Sequence, residues 1–137
     1  MNFSAQTKVA FRAAQRPQST FAVRSTFSDT SSATRGIGAA RRWLYAEFQQ
    51  ISKTCGGCLE VRYTRSTVKG SGTGARATPD VDVVNVIAIQ RGTTTPGRVV
   101  MMSGDIDSRN SNGSDGVKDA PGANDNASGL AGTVEAA

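Results

Sequence analysis

An apolar stretch, Val99–Met102, gives out into Ser103-Gly-Asp-Ile-Asp-Ser-Arg109, and after an Asp/Asn/Gly-rich loop the chain reads Pro121-Gly-Ala-Asn-Asp-Asn-Ala-Ser-Gly129. Asp105 and Asp107 thus follow the carboxyl end of a predicted strand, and Asp125 stands where a loop enters a small-residue helix. Hard cations are held by oxygen ligands brought from separate element ends in this way. In open α/β sheets, ligand sites lie outside the carboxyl ends of the strands. For any one of these residues alone, turn and helix-cap hydrogen bonding is a sufficient explanation.

The two blocks taken together resemble the zinc aminopeptidase family M28. Its pattern is a strand ending in Gly-His-x-Asp-Ser, then a loop, then Pro-Gly-Ala-x-Asp-Asn-Ala-Ser-Gly. The second block matches throughout, and the first matches except at Asp105, which stands where the family has His. The resemblance implies that Asp105 ligates one zinc, that Asp107 supports the site from behind Asp105, and that Asp125 bridges two zinc ions. It also implies that the carboxylates of Asp105 and Asp125 converge and that the Asp125–Asn126 peptide bond is cis. A carboxylate can ligate zinc, but it is harder and more negative than imidazole, which admits other divalent metals. The implied activity is metallo-exopeptidase hydrolysis, with Asp107 in the catalytic machinery and peptides with a free N-terminus as substrates. The alternative is a non-catalytic binding module that keeps the peptidase-like fold, with Asp105 marking lost metal chemistry.

Periodicity supplies the frame around these blocks. The spacing predicts a short helix over Ala5–Gln15 and an extended loop over Gln18–Thr34 with Phe21, Val23 and Phe27 as buried anchors. Ile37, Ala40, Leu44, Phe48 and Ile51 recur at three and four residues, so Gly36–Ile51 is predicted to be a helix with one buried face and Trp43 at its boundary. Leu59–Val68 and Val81–Gln90 read as strands separated by a Gly/Pro-rich break, the second apolar enough to be buried on both faces. A turn over Thr93–Gly97 precedes a third strand, Arg98–Ser103, and Ala127–Ala137 reads as a helix without a stop signal. Gly129 and Gly132 within it are expected to permit close helix-to-sheet packing. This order is the beginning of an α/β layered sheet. The resemblance extends it to a three-layer αβα zinc-exopeptidase fold with a mixed sheet.

At 137 residues the chain has room for one ordinary domain, yet the family continues beyond the second block with a Glu-Glu pair, an acidic ligand and a His. The chain holds no His. The expectation is therefore the N-terminal part of a single peptidase domain, with residues 1–34 as helix and loop and residues 35–137 as the start of the core, truncated at the C-terminus and inactive alone.

The net charge of +5 is unevenly spread, with 11 Lys/Arg against 3 Asp/Glu in residues 1–69 and 5 against 8 in residues 70–137. Lys8, Arg12, Arg16, Arg24, Arg35, Arg41 and Arg42 are scattered without a nucleic-acid motif or aromatic interleaving, and read as a solvated basic surface, not a nucleic-acid footprint. No apolar run is long enough to span a membrane, and Met1–Arg16 does not present a signal-peptide core. Family resemblance nevertheless implies export, to the periplasm or outside the cell. Gly70-Ser-Gly-Thr-Gly74 lacks the Lys-Ser/Thr ending of a phosphate loop and reads as a surface turn, and Arg109 and Asn110 exclude a calcium-binding EF-hand loop. Cys55-Gly-Gly-Cys58 lacks partners for a structural zinc and follows a helix C-terminus, where the dipole opposes a thiolate. A structural disulfide fits an exported enzyme, with two free thiols as the alternative.

Overall fold

The computed structural model describes residues 20–73 and 78–137, so the helix expected over Ala5–Gln15 lies outside the described residues. The elements are α1 (Gly36–Thr54), β1 (Leu59–Val68), β2 (Val81–Gln90), a kinked segment Ala123–Ala127 and α2 (Ser128–Glu135). The apolar stripe sets the orientation of α1: Ile37, Ala40, Leu44 and Phe48 are all buried, and Trp43 sits at the boundary of two packed clusters.

The first amides of a helix have no partner within it. For α1 the preceding loop supplies them. Ser28 Oγ accepts from the Ile37 N–H at 2.8 Å, and the Phe21 and Asp29 carbonyls accept from Gly36 and Gly38 at 3.3 and 3.2 Å. Gly38 permits this approach, because a Cβ there would collide with the main chain of Thr30. Phe21 and Val23 anchor the loop as expected, whereas Phe27 is only half-buried. At its other end α1 stops in Cys55-Gly-Gly-Cys58, where the Gly57 N–H reaches the Ser52 carbonyl at 2.7 Å and Cys55 and Cys58 are joined in a disulfide.

Strands β1 and β2 form an antiparallel hairpin, in register from Leu59 opposite Gln90 to Val68 opposite Val81. Asp80 closes its connected end, pairing with Lys69 Nζ at 2.6 Å and accepting from the Gly70 N–H at 2.8 Å. Leu59, Val61, Val86 and Ala88 pack against Leu44 and Phe48 of α1 and Leu130 and Val134 of α2. One apolar cluster therefore joins both helices to one face of the hairpin, an α/β arrangement.

Two expectations about strands fail. β2 is fully buried on neither face: Val84, Val86 and Ala88 are half-buried, as are Val83, Ile87 and Ile89, and of these only Val86 and Ala88 pack against the shared cluster of the described helices. Arg98–Ser103 is not a strand. A strand exists only when a neighbour accepts its ladder, and the sheet of the described residues has two strands. Val99 and Val100 are consequently 87% and 93% exposed. Among the described residues no helix is long and apolar enough to cross a membrane.

Leu44→Ala should lower the unfolding free energy of the protein by about 2–5 kcal/mol, measured by denaturant titration. A loss below about 1 kcal/mol would mean that the shared cluster is not the core.

Candidate metal centre

The loops that carry the three aspartates meet. Gly104, next to Asp105, lies so close to α2 that a Cβ would fall 2.7 Å from Leu130 Cα and 2.8 Å from its nitrogen. Asp125 lies just before α2, inside the kink, with Asp125 at φ −116, ψ 94 and Asn126 at φ −133, ψ 36. The Asp125–Asn126 peptide bond is cis. Gly122 opens this segment with φ +47 and packs between the Asp125 carbonyl, Ser108 Cβ and the Arg24 guanidinium, a crowded left-handed position that suits glycine.

Neighbouring side chains serve structure. Asn126 Oδ1 accepts from the Gly129 N–H at 3.0 Å, and Ser128 Oγ donates to the Asn124 carbonyl at 2.8 Å. In the acidic loop, Asp115 Oδ1 accepts from the Val117 and Lys118 amides, and Asp119 pairs with Arg35 at 2.7 Å. Asp105, Asp107 and Asp125 are exposed.

Beneath the loops lies a residue that the sequence reading placed on a solvated surface. Arg24 is completely buried. Its Nε donates to the Ile106 carbonyl at 2.9 Å, Nη1 to Pro121 at 2.5 Å and Nη2 to Gly122 at 3.0 Å. Its main chain pairs with Ser108: the Arg24 N–H donates to Ser108 Oγ at 2.9 Å and the Arg24 carbonyl accepts from the Ser108 N–H at 3.2 Å. Ser108 Oγ in turn donates to the Ala120 carbonyl at 2.5 Å, and Val23 bridges Ala120 in parallel. Arg41, also assigned to the solvated surface, is 7% exposed, and its Nε has no hydrogen-bond partner among the described residues. Burial lowers the pKa of both guanidiniums, and the negative charge of Asp107 opposes that shift. Asp107 therefore lies within electrostatic range of two buried positive charges. The missed signal was a basic residue inside the apolar run Phe21-Ala-Val-Arg24, where Phe21 and Val23 had been read as anchors.

Carboxylate oxygens on adjoining loops are suitable donors for zinc, which takes about four ligands. Among the described residues, however, no three His, Cys, Asp or Glu side chains gather as a metal cluster. The donor chemistry fits zinc as part of a site, and the number of donors falls short of a closed one.

Residues 85–137, which include all three aspartates, match the model of peptidase family M28. The chain is 40% identical over 122 residues to a probable zinc metalloprotease of Pyrenophora teres f. teres, covering 89% of this chain and 26% of the relative. A probable zinc metalloprotease of Pyricularia oryzae is 42% identical over 119 residues, covering 85% and 23%. A third, from Pyrenophora tritici-repentis, is 39% identical over 117 residues, covering 85% and 27%. The chain thus spans about a quarter of the length of the curated relatives it matches. No solved structure gives a significant match.

The glycines of this region divide by surroundings. Gly132 was expected to allow close packing on the sheet, yet a Cβ there meets nothing within 4 Å. At Gly129 the nearest group is the Asn126 side chain, not the sheet. Gly104→Ala should therefore destabilise the protein by about 1–3 kcal/mol through overpacking against α2, whereas Gly132→Ala should stabilise by up to about 1 kcal/mol through helix propensity. Thermal melts of the two variants test this, and equal shifts would contradict the packing of Gly104 on α2.

Proposed function

Because the chain belongs to peptidase family M28, we propose that it forms part of a zinc metallopeptidase of the aminopeptidase type. The observation that carries this reading is the meeting of the two carboxylate-bearing loops, Gly104 against Leu130 and Arg24 bonded to both Ile106 and Gly122. In this reading Asp105 and Asp125 would hold zinc, with Asp125 shared between two ions, and Asp107 would orient the site from behind Asp105. When bound, zinc supplies Lewis-acid polarisation of the scissile carbonyl and a water acidified toward neutral pH. The remaining ligands and a carboxylate general base would come from elsewhere in the protein, whose relatives are more than three times as long as this chain.

Several finer features belong to the same proposal. The exposed segment that ends at Met102 would become an inner strand of a three-layer αβα fold with a mixed sheet. Burial there would remove the exposed Val99 and Val100 side chains from water, worth about 1.5–3 kcal/mol each. Substrates would be peptides with a free N-terminus, and the Cys55–Cys58 disulfide suits a secreted or periplasmic protein. A second reading, a non-catalytic binding module, is favoured by one observation: Asp105 stands in the position of the family's His.

The full-length protein should release N-terminal residues from aminoacyl chromogenic substrates, and a chelator should abolish that turnover. Asp125→Ala should lower both zinc content and turnover to background, while the isolated chain should be inactive with added zinc. Full-length protein that binds no zinc and turns over no substrate would favour the binding module. Chelator-sensitive turnover by the isolated chain, or turnover untouched by Asp125→Ala, would overturn the assignment of the site.

A further inference from the structure

We propose that Arg24 is a positioning residue for the metal site, setting the spacing between the loop of Asp105 and Asp107 and the loop of Asp125. The proposal rests on the reading that Asp105 and Asp125 hold zinc. Arg24 cannot itself ligate a metal, since a guanidinium has donors and no acceptor. Its action runs through main-chain carbonyls. Ile106, which accepts from Nε, lies between Asp105 and Asp107; Pro121 and Gly122, which accept from Nη1 and Nη2, lead into Asp125.

The fork is planar and its donor directions are fixed, so the three carbonyls are held at a set separation as well as bonded. The Gly122 carbonyl has a second role: it also accepts from the Ala127 N–H at 3.1 Å, across the kink that contains Asp125. Arg24 therefore holds the carbonyl on which that kink closes. Ser108 repeats the connection one layer away, its hydroxyl linking the Arg24 amide to the Ala120 carbonyl. Because Arg24 is fully buried, water does not compete for these bonds. A lysine keeps the charge but replaces the fork by a point donor on a flexible stem. It would leave carbonyls unbonded and the loop spacing unset.

The test uses the full-length protein with Arg24→Lys, and Ile89→Ala as a destabilised control on the hairpin face opposite Val86 and Ala88, outside the cluster that reaches the loops. Zinc affinity is measured by chelator competition, the cobalt-substituted protein is followed by its visible spectrum, and the metal-free protein by thermal midpoint. Arg24→Lys should weaken zinc binding about 10–100-fold, the range seen when a group supporting a metal ligand is removed, and should change the cobalt spectrum. Ile89→Ala should lower the metal-free midpoint with zinc affinity and spectrum unchanged. If Arg24→Lys lowers only the midpoint, Arg24 is a structural brace and the proposal is overturned. If Arg24→Lys does not fold, Ser108→Ala serves: a smaller loss of zinc affinity supports the proposal, and unchanged affinity overturns it. Wild-type protein that binds neither zinc nor cobalt would instead refute the metal-site reading, and this inference with it.

Discussion

A guanidinium taken out of water loses hydration worth several kcal/mol, a cost that falls as its donors find partners. In this protein the burial of Arg24 is compensated from two loops at once, by the carbonyls of Ile106, Pro121 and Gly122, with the Asp107 charge adding to it. Neither loop alone satisfies the fork. The arginine is therefore buried at least cost when both loops are in place, which makes their meeting cooperative. The same segment that carries Arg24 also supplies Ser28 to the first turn of α1. Residues 21–29 thus join the core helix to the carboxylate loops, and packing of α1 is coupled to the geometry of the candidate site.

Much of this frame was legible from the sequence, for identifiable reasons. The α1 stripe and the two hairpin strands express local periodicity, and in both cases partners exist within the described residues: Leu44 and Phe48 meet Val86 and Ala88. Arg98–Ser103 carries an equally strong strand signal, but propensity does not supply a neighbour, and the segment stays outside the sheet. The aspartate blocks were readable as a candidate site because their spacing is unusual. Arg24 was not, because a basic side chain is ordinarily solvated and its burial depends on carbonyls more than 80 residues away in the chain. Gly132 was misread for a related reason: sequence shows a missing side chain but not the space beside it.

The charge asymmetry now has a structural form. The acidic half exposes Asp105, Asp107 and Asp125, while Arg24 and Arg41 from the basic half lie buried within range of Asp107. An apolar segment, Val99–Met102, leads straight into these carboxylates and is exposed.

The central claim is that Arg24 and Ser108 hold the two carboxylate loops as one unit with the core, and native-state amide hydrogen exchange tests it most directly. The Ser108, Ala120 and Ala127 amides, bonded respectively to the carbonyls of Arg24, Ala22 and Gly122, should exchange together and with protection comparable to the buried turns of α1 at Leu44 and Phe48. Exchange of these three amides at rates typical of solvent-exposed loops, with α1 still protected, would contradict the account.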